Sequence, residues 1–251
     1  MKVKLREIFQ KGNYALGGFL SIGAPAIVEV VALGGLDFIV IDTEHGEPGF
    51  ESVVNMSRAA QAHGVTPIVR VLEYNQKLIG RYLDNGIEGI QMPMVETADM
   101  AAKFIAACKY KPDGVRGLSG GRGSMWGHIQ NYTTTVNREL MTISMCESKK
   151  GVDNIEEIVK VPHLDVIFVG IGDLSLSMGC VGKTDNPEVL QAIDHVLHVC
   201  LEADIIPGIV ASGAIEALQR IEQGFKYVTV LNDMRILCSA TKAITTKVRE
   251  R

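Results

Sequence analysis

The chain has 251 residues, 47% hydrophobic and 22% charged, with a formal net charge of −4 at pH 7. That length and balance suit one large domain spanning 1–251, with enough apolar surface for an ordinary core. The mild negative charge excludes a basic surface for nucleic acid or anionic membrane. No run approaches the roughly 18 apolar residues of a membrane span.

The first residues, Met1-Lys2-Val3-Lys4-Leu5-Arg6, carry the charges of a signal peptide without the apolar run that should follow. The five cysteines (Cys108, Cys146, Cys180, Cys200, Cys238) are scattered and form no CxxC pair. Free thiols in a reducing cytoplasm are the expectation, rather than a disulfide framework or a zinc site.

Strand-like and helix-like stretches then alternate. Residues 15–20 read as a strand, and 25–33 as a helix opened by Pro25 and closed by Gly34-Gly35. A strand at 37–41, a helix at 50–62, a strand at 66–70 and a helix at 75–84 follow. Next come a strand at 88–92 stopped by Pro93 and an alanine-rich helix at 97–109. The glycine-rich stretch 112–127 breaks the rhythm, and loops of that length are usually functional or mobile. A polar helical piece at 131–139 leads to a strand at 140–145 and a helix at 149–160. The last units are strands at 165–169, 205–210 and 226–231, with helices at 187–203, 213–222 and 232–248. Eight strands alternating with eight helices predict a (β/α)8 TIM barrel. A doubly wound open sheet is the alternative, disfavoured because no GxGxxG follows the first strand.

In such a barrel, chemistry sits where the chain leaves the carboxyl ends of the strands. Those ends offer Asp42 and His45, Arg70, Glu147, Asp173 and Asp233. A lone carboxylate at a loop start is most often a helix N-cap or a solvated charge, and Arg70 alone reads as a structural ion pair, but their convergence on one face does not follow from those readings. Glu147 and Asp173 suit a hard divalent cation such as Mg²⁺ or Mn²⁺, with no thiolate or imidazole nearby. Asp42 and His45 read as a carboxylate orienting a catalytic imidazole. Arg70 offers a planar donor fork for a carboxylate or a developing oxyanion. No lysine falls in strands one to seven, and Lys226 opens strand eight at the wrong end, which argues against Schiff-base chemistry.

The motifs Asp42-x-Glu44-His45, Val69-Arg70, Pro93-Met94-Val95, Gly114-Val115-Arg116-Gly117, Glu147 and Gly170-x-x-Asp173-Leu174-Ser175 together resemble the HpcH/HpaI family of metal-dependent, class II pyruvate aldolases. The resemblance covers nearly the whole chain. It implies a barrel of the phosphoenolpyruvate/pyruvate-binding type, assembled as a homo-hexamer with the last helix exchanged between neighbours. It also implies reversible cleavage of a 4-hydroxy-2-oxo acid to pyruvate and an aldehyde, with a divalent cofactor (Mg²⁺, Mn²⁺ or Co²⁺). Carried over residue by residue, Glu147 and Asp173 match metal ligands, His45 the base and Asp42 its partner. Arg70 matches the arginine that holds pyruvate, Asp84 an aspartate supporting the catalytic network, and Gly172 with Asp173 the pyruvate contact. Three positions depart from the family pattern. Met145 stands where many members have glutamine, Ile171 where proline is usual, and Phe19 where tryptophan is frequent. A Claisen-type relative (citrate-type synthase or acyl-CoA lyase) and a non-catalytic keto-acid-binding barrel are the competing expectations.

Overall fold

The computed structural model describes residues 4–250, so the opening Met1–Val3 of the leader-like stretch lies outside them. Eight strands, all paired in parallel, close on themselves: β1 (Ala15–Leu20), β2 (Phe38–Asp42), β3 (Thr66–Arg70), β4 (Gly89–Met92), β5 (Met141–Cys146), β6 (Val166–Val169), β7 (Ile206–Val210) and β8 (Tyr227–Asn232), with β8 pairing back onto β1. This closure rules out the open-sheet alternative. Around the barrel run α2 (Pro25–Leu33), α3 (Phe50–Ala62), α4 (Gln76–Asp84), α5 (Ala98–Cys108), α6 (Tyr132–Glu139), α7 (Lys149–Asp153), α8 (Ile155–Ile158), α9 (Ile171–Ser177), α10 (Pro187–Glu202), α11 (Ala214–Gln223) and α12 (Asp233–Arg249). They are preceded by α1 (Lys4–Gln10).

The helix expected at 149–160 is two short ones, broken at Asn154. Ser148 caps the first by accepting the Gly151 N–H at 3.1 Å. Two helices were not expected. α9 follows β6 directly. α1 lies across the end where the strands begin, and its Leu5 is fully buried in the barrel interior with Phe38, Val40, Ile68 and Tyr227. No helix among the described residues is long and apolar enough to cross a membrane.

Period-two alternation places the functional side chains. In β2, Phe38 and Val40 belong to the interior cluster, whereas Ile39 and Ile41 pack outward under the helices. Asp42 therefore continues the inward row. In β3, Ile68 is interior and Arg70 stands two residues on. In β5, Met141, Ile143 and Met145 are interior, and Glu147 is next in that row. In these three strands the interior row ends at the top in a charge. Below that layer, Tyr227 stacks on Phe38 (ring centroids 4.1 Å apart) and bonds Gln91 Oε1 at 3.1 Å, so the interior is filled.

Candidate active site

A cavity of about 350 Å³ opens at the carboxyl ends of the strands, lined by Arg70, Glu147, Gly172 and Asp173 together with Phe19, Met145 and Phe168. The ladder brings Asp42 and Arg70 side by side as register partners. Arg70 grips Asp42 with two prongs, Nε–Oδ1 at 2.9 Å and Nη2–Oδ2 at 2.7 Å, and its Nη1 lies 3.0 Å from Glu44 Oε2. The guanidinium also lies 4.9 Å from the Phe19 ring centroid, within cation–π range. A guanidinium has five N–H donors. These contacts leave some of them for a ligand oxygen.

Burial pushes Asp42 upward, but the Arg70 hydrogen bonds and charge, with the amides of His45 and Glu44, hold it below its ordinary value. Burial likewise pushes Arg70 down, and Asp42, Glu44 and Glu147 more than reverse that. Asp42 is thus a fixed anion and Arg70 a fixed cation.

Glu147 is buried, its Oε1 accepting the Met94 N–H at 2.7 Å. That amide is aimed by a left-handed Met94 (φ 51°) just after Pro93 ends β4. Gly170 packs against the same carboxylate, and any side chain there would collide with Glu147. Burial raises Glu147 to about 7; the Met94 amide opposes this, repulsion from Asp173 and Glu44 adds to it, and Arg70 offsets part. Glu44 is also raised, first by burial, against the charges of Arg70 and His45 and with those of Asp42 and Asp173. Four carboxylates thus share one arginine. Surplus negative charge in a half-enclosed site is charge that a bound cation would neutralise. Among the described residues no group of three or more His, Cys, Asp or Glu side chains could hold a metal. Glu147 and Asp173 offer oxygen donors only, the donor type that suits a hard ion completing its shell with water and substrate oxygens.

Several expected placements differ. Asp42 does not orient His45 through its side chain: its carboxylate is committed to Arg70 and to the backbone amides of Glu44 and His45. The imidazole is 66% exposed on the rim, and its nearest carboxylate is Glu44, at 3.8 Å. Asp84 lies at the end of α4, on the face where strands begin, and pairs with Arg116 at 2.8 Å. Within one chain it does not reach the cavity. Asp233 is a fastener that accepts the amides of Ser21, Ile22 and Met234 and ties β1 to β8. Gly172 and Asp173, exposed in the first turn of α9, do line the cavity. Glu44, named in the sequence motif without a role, shares the odd–even parity of Asp42 and lies beside Arg70. Ser212, Asn232 and Arg235 also line the cavity and were missed: Ser212 and Arg235 lie past the ends of β7 and β8, and Asn232 is the last residue of β8.

The HpcH/HpaI aldolase/citrate lyase family model matches residues 16–240. The chain belongs to this family. It is 34% identical to the hydroxypyruvate/pyruvate aldolase of Chromohalobacter salexigens, over 91% of each chain. The crystal structure of an HpcH/HpaI aldolase/citrate lyase family protein from Burkholderia cenocepacia J2315 superposes with a TM-score of 0.93 at 32% identity, covering 99% of this chain and 100% of that one. The citrate synthase SbnG superposes at 0.88 with 28% identity over the whole of both chains. For an HpcH/HpaI member, a cavity without a lysine in its lining fits aldol chemistry independent of a Schiff base.

Proposed function

We propose that the chain is a metal-dependent pyruvate aldolase that reversibly cleaves a 4-hydroxy-2-oxo acid into pyruvate and an aldehyde. The observation that carries this is the convergence of Glu147, Asp173 and Arg70 in one cavity with a surplus of carboxylate charge, in a chain of this family. Glu147 and Asp173 are the residues to hold a divalent cation, Mg²⁺, Mn²⁺ or Co²⁺. When bound, it supplies Lewis-acid stabilisation of negative charge on the keto oxygen.

The chain's own groups do the rest. Arg70, locked by Asp42, directs its spare donors at the carboxylate and enolate oxygen of the keto acid. Gly172 leaves room for the substrate beside Asp173. His45 takes the C4 hydroxyl proton as the C3–C4 bond breaks, the bonding pair passes to the enolate, and the C4 fragment leaves as the aldehyde. Glu44 lies 3.8 Å from the imidazole and flanks it on the rim. Phe19, Met145 and Phe168 keep one wall dry, which protects the enolate from premature protonation. Asp84 acts at a distance or from a neighbouring chain.

Assembly as a homo-hexamer is part of the proposal. Its support is α12, whose Leu237, Ile244 and Val248 are exposed and whose only buried residue is Asp233. A helix with an uncovered apolar stripe needs a partner surface.

The test is pyruvate release from a panel of 4-hydroxy-2-oxo acids, with and without EDTA. Release that chelation abolishes and Mg²⁺, Mn²⁺ or Co²⁺ restores supports the reading. Full activity after exhaustive chelation, or trapping of pyruvate on a lysine by borohydride, overturns it. The full-length likeness to a citrate synthase favours a second reading, a Claisen-type condensation at the same enolate site. Ester or thioester turnover in place of aldehyde formation would establish that one.

A further inference from the structure

Glu147 owes its position to a residue outside the cavity lining. β4 ends at Met92, and residues 93–97 cross the end of β5 before α5 begins. The crossing is fastened at successive residues. The Met94 amide donates to Glu147 Oε1 at 2.7 Å, and the Val95 amide to the Met145 carbonyl at 3.1 Å. Glu96 then makes three contacts. Its Oε1 accepts the Ser148 hydroxyl at 2.9 Å, its Oε2 lies 3.0 Å from Lys150 Nζ, and its backbone carbonyl accepts the Asn154 side-chain amide at 2.8 Å. Ser148 is buried and follows Glu147 directly in the chain.

One residue of the crossing sits in an unfavourable conformation. Met94 is left-handed (φ 51°), and it is exposed, so its own burial does little to hold it there. A left-handed methionine persists only where its surroundings fix it. Downstream, Val95 supplies one bond and Glu96 supplies three contacts. The Lys150 contact is the weakest of these, because the lysine is mostly exposed. The Ser148 bond is partly buried and charge-assisted, and so the strongest. Releasing Glu96 lets Met94 relax toward ordinary backbone, and the amide that fixes the Glu147 carboxylate turns away.

We infer that Glu96 is a positioning residue for the proposed cation site: through Ser148 and the Met94 amide it sets where the Glu147 carboxylate stands. Carboxylates that hold a metal depend on hydrogen-bonded partners behind them. The Met94 N–H is such a partner for Glu147, and Glu96 keeps it aimed. This rests on the metal-dependent reading above and adds to it a residue that does not line the cavity.

The experiment is direct titration with Mn²⁺, without substrate, read from the electron paramagnetic resonance of the free ion. Wild type is compared with Glu96→Ala, Glu96→Gln, Lys150→Met and the double variant Met94→Gly with Glu96→Ala. Glu96→Ala should weaken Mn²⁺ binding about 10- to 100-fold, the usual cost of removing an outer partner of a metal ligand. Ser148→Ala, which removes the same bond from its other side, should show a like loss and serves where Glu96→Ala does not fold. Glu96→Gln should keep most of the affinity, because its amide oxygen still accepts the Ser148 hydroxyl although the charge is gone. Lys150→Met should bind like wild type. Met94→Gly should restore most of what Glu96→Ala loses, because glycine adopts left-handed backbone without steric cost. Unchanged affinity in Glu96→Ala overturns the inference. So does a Glu96→Gln as weak as Glu96→Ala, which would make the effect one of net charge, and so does a double variant no tighter than Glu96→Ala. If wild type itself binds no Mn²⁺, the metal-dependent reading fails and the inference falls with it.

Discussion

The two ends of the barrel treat charge in opposite ways. Where the strands begin, ions are paired or bonded off. Arg6 reaches from α1 to Asp165 at 2.8 Å and to the carbonyls of Leu140 and Glu139, and Asp165 also takes the Thr142 amide. Lys109, almost wholly buried, lays its ammonium on the carbonyls of Asn137 and Leu140, and Asp84 holds Arg116. Where the strands end, four carboxylates crowd one arginine, and burial with mutual repulsion lifts Glu147 to about 7. Satisfied polar groups stabilise a fold, whereas unsatisfied ones are stored for a ligand. The opening end therefore holds the barrel shut, and the closing end is kept electrostatically incomplete so that a cation and an acid can complete it.

The sharpest way to break this contrast is Glu147→Gln. If Glu147 seats the cation, activity should drop on the order of 10³-fold or more. Stability of the metal-free protein above pH 7 should rise, because an ionised Glu147 is disfavoured in the folded state. The sign follows from the raised value: below about 4.5 both states are protonated, and stability is lost as pH climbs through about 7. Urea titration at pH 8 beside a turnover assay reads both. A fall in stability together with the fall in activity would place Glu147 among the structural groups instead.

His45→Ala should slow aldol cleavage about 10²–10⁴-fold, the usual range for a general base. It should matter much less for oxaloacetate decarboxylation, which has no hydroxyl proton to remove. Equal damage to both reactions would make the exposed imidazole a positioning group.

Arg6→Ala probes the other end. It leaves Asp165 without its cation and should cost about 3 kcal/mol of stability in denaturant unfolding. Because Arg6 is remote from the cavity, kcat/KM should hold. A change in KM would mean that the two ends are coupled.

The smallest effect tests an exception on the quiet face. Glu88, just before β4, is raised by burial to about 7, against its hydrogen bond from Gln61 and the charge of Arg122. Its contribution is present below about 4.5 and fades as pH rises through about 7. Glu88→Gln should flatten that part of the stability–pH curve and add about 1–2 kcal/mol at pH 8. An unaltered curve between pH 5 and 8 would show that Gln61 and Arg122 already compensate Glu88 fully.

The strands were legible because each is a short, largely apolar run, and the barrel followed from their number and alternation with helices. Asp42, Arg70, Glu147 and Asp173 were legible because they stand at those ends. What stayed hidden depended on distance along the chain. That Asp42 spends its carboxylate on Arg70 depends on the β2–β3 register, which no local pattern encodes. Asp84 was assigned by motif, yet its place at the far end of α4 follows from where a helix must return to begin the next strand. α1 escaped notice because its seven residues carry little periodicity, and only the hole that Leu5 fills explains them. Arg235 escaped because it lies past the end of β8, where a helix replaces the parity of the strand.

The position of α1 has a practical side. Leu5 enters the barrel axis from below, so the described chain starts on the face turned away from the cavity, whereas α12 starts at the cavity's lip. A surface tether attached ahead of Lys4 would hold the molecule mouth outward, leaving the cavity open to the solution. A tether beyond α12 would pull on the helix whose root carries Arg235.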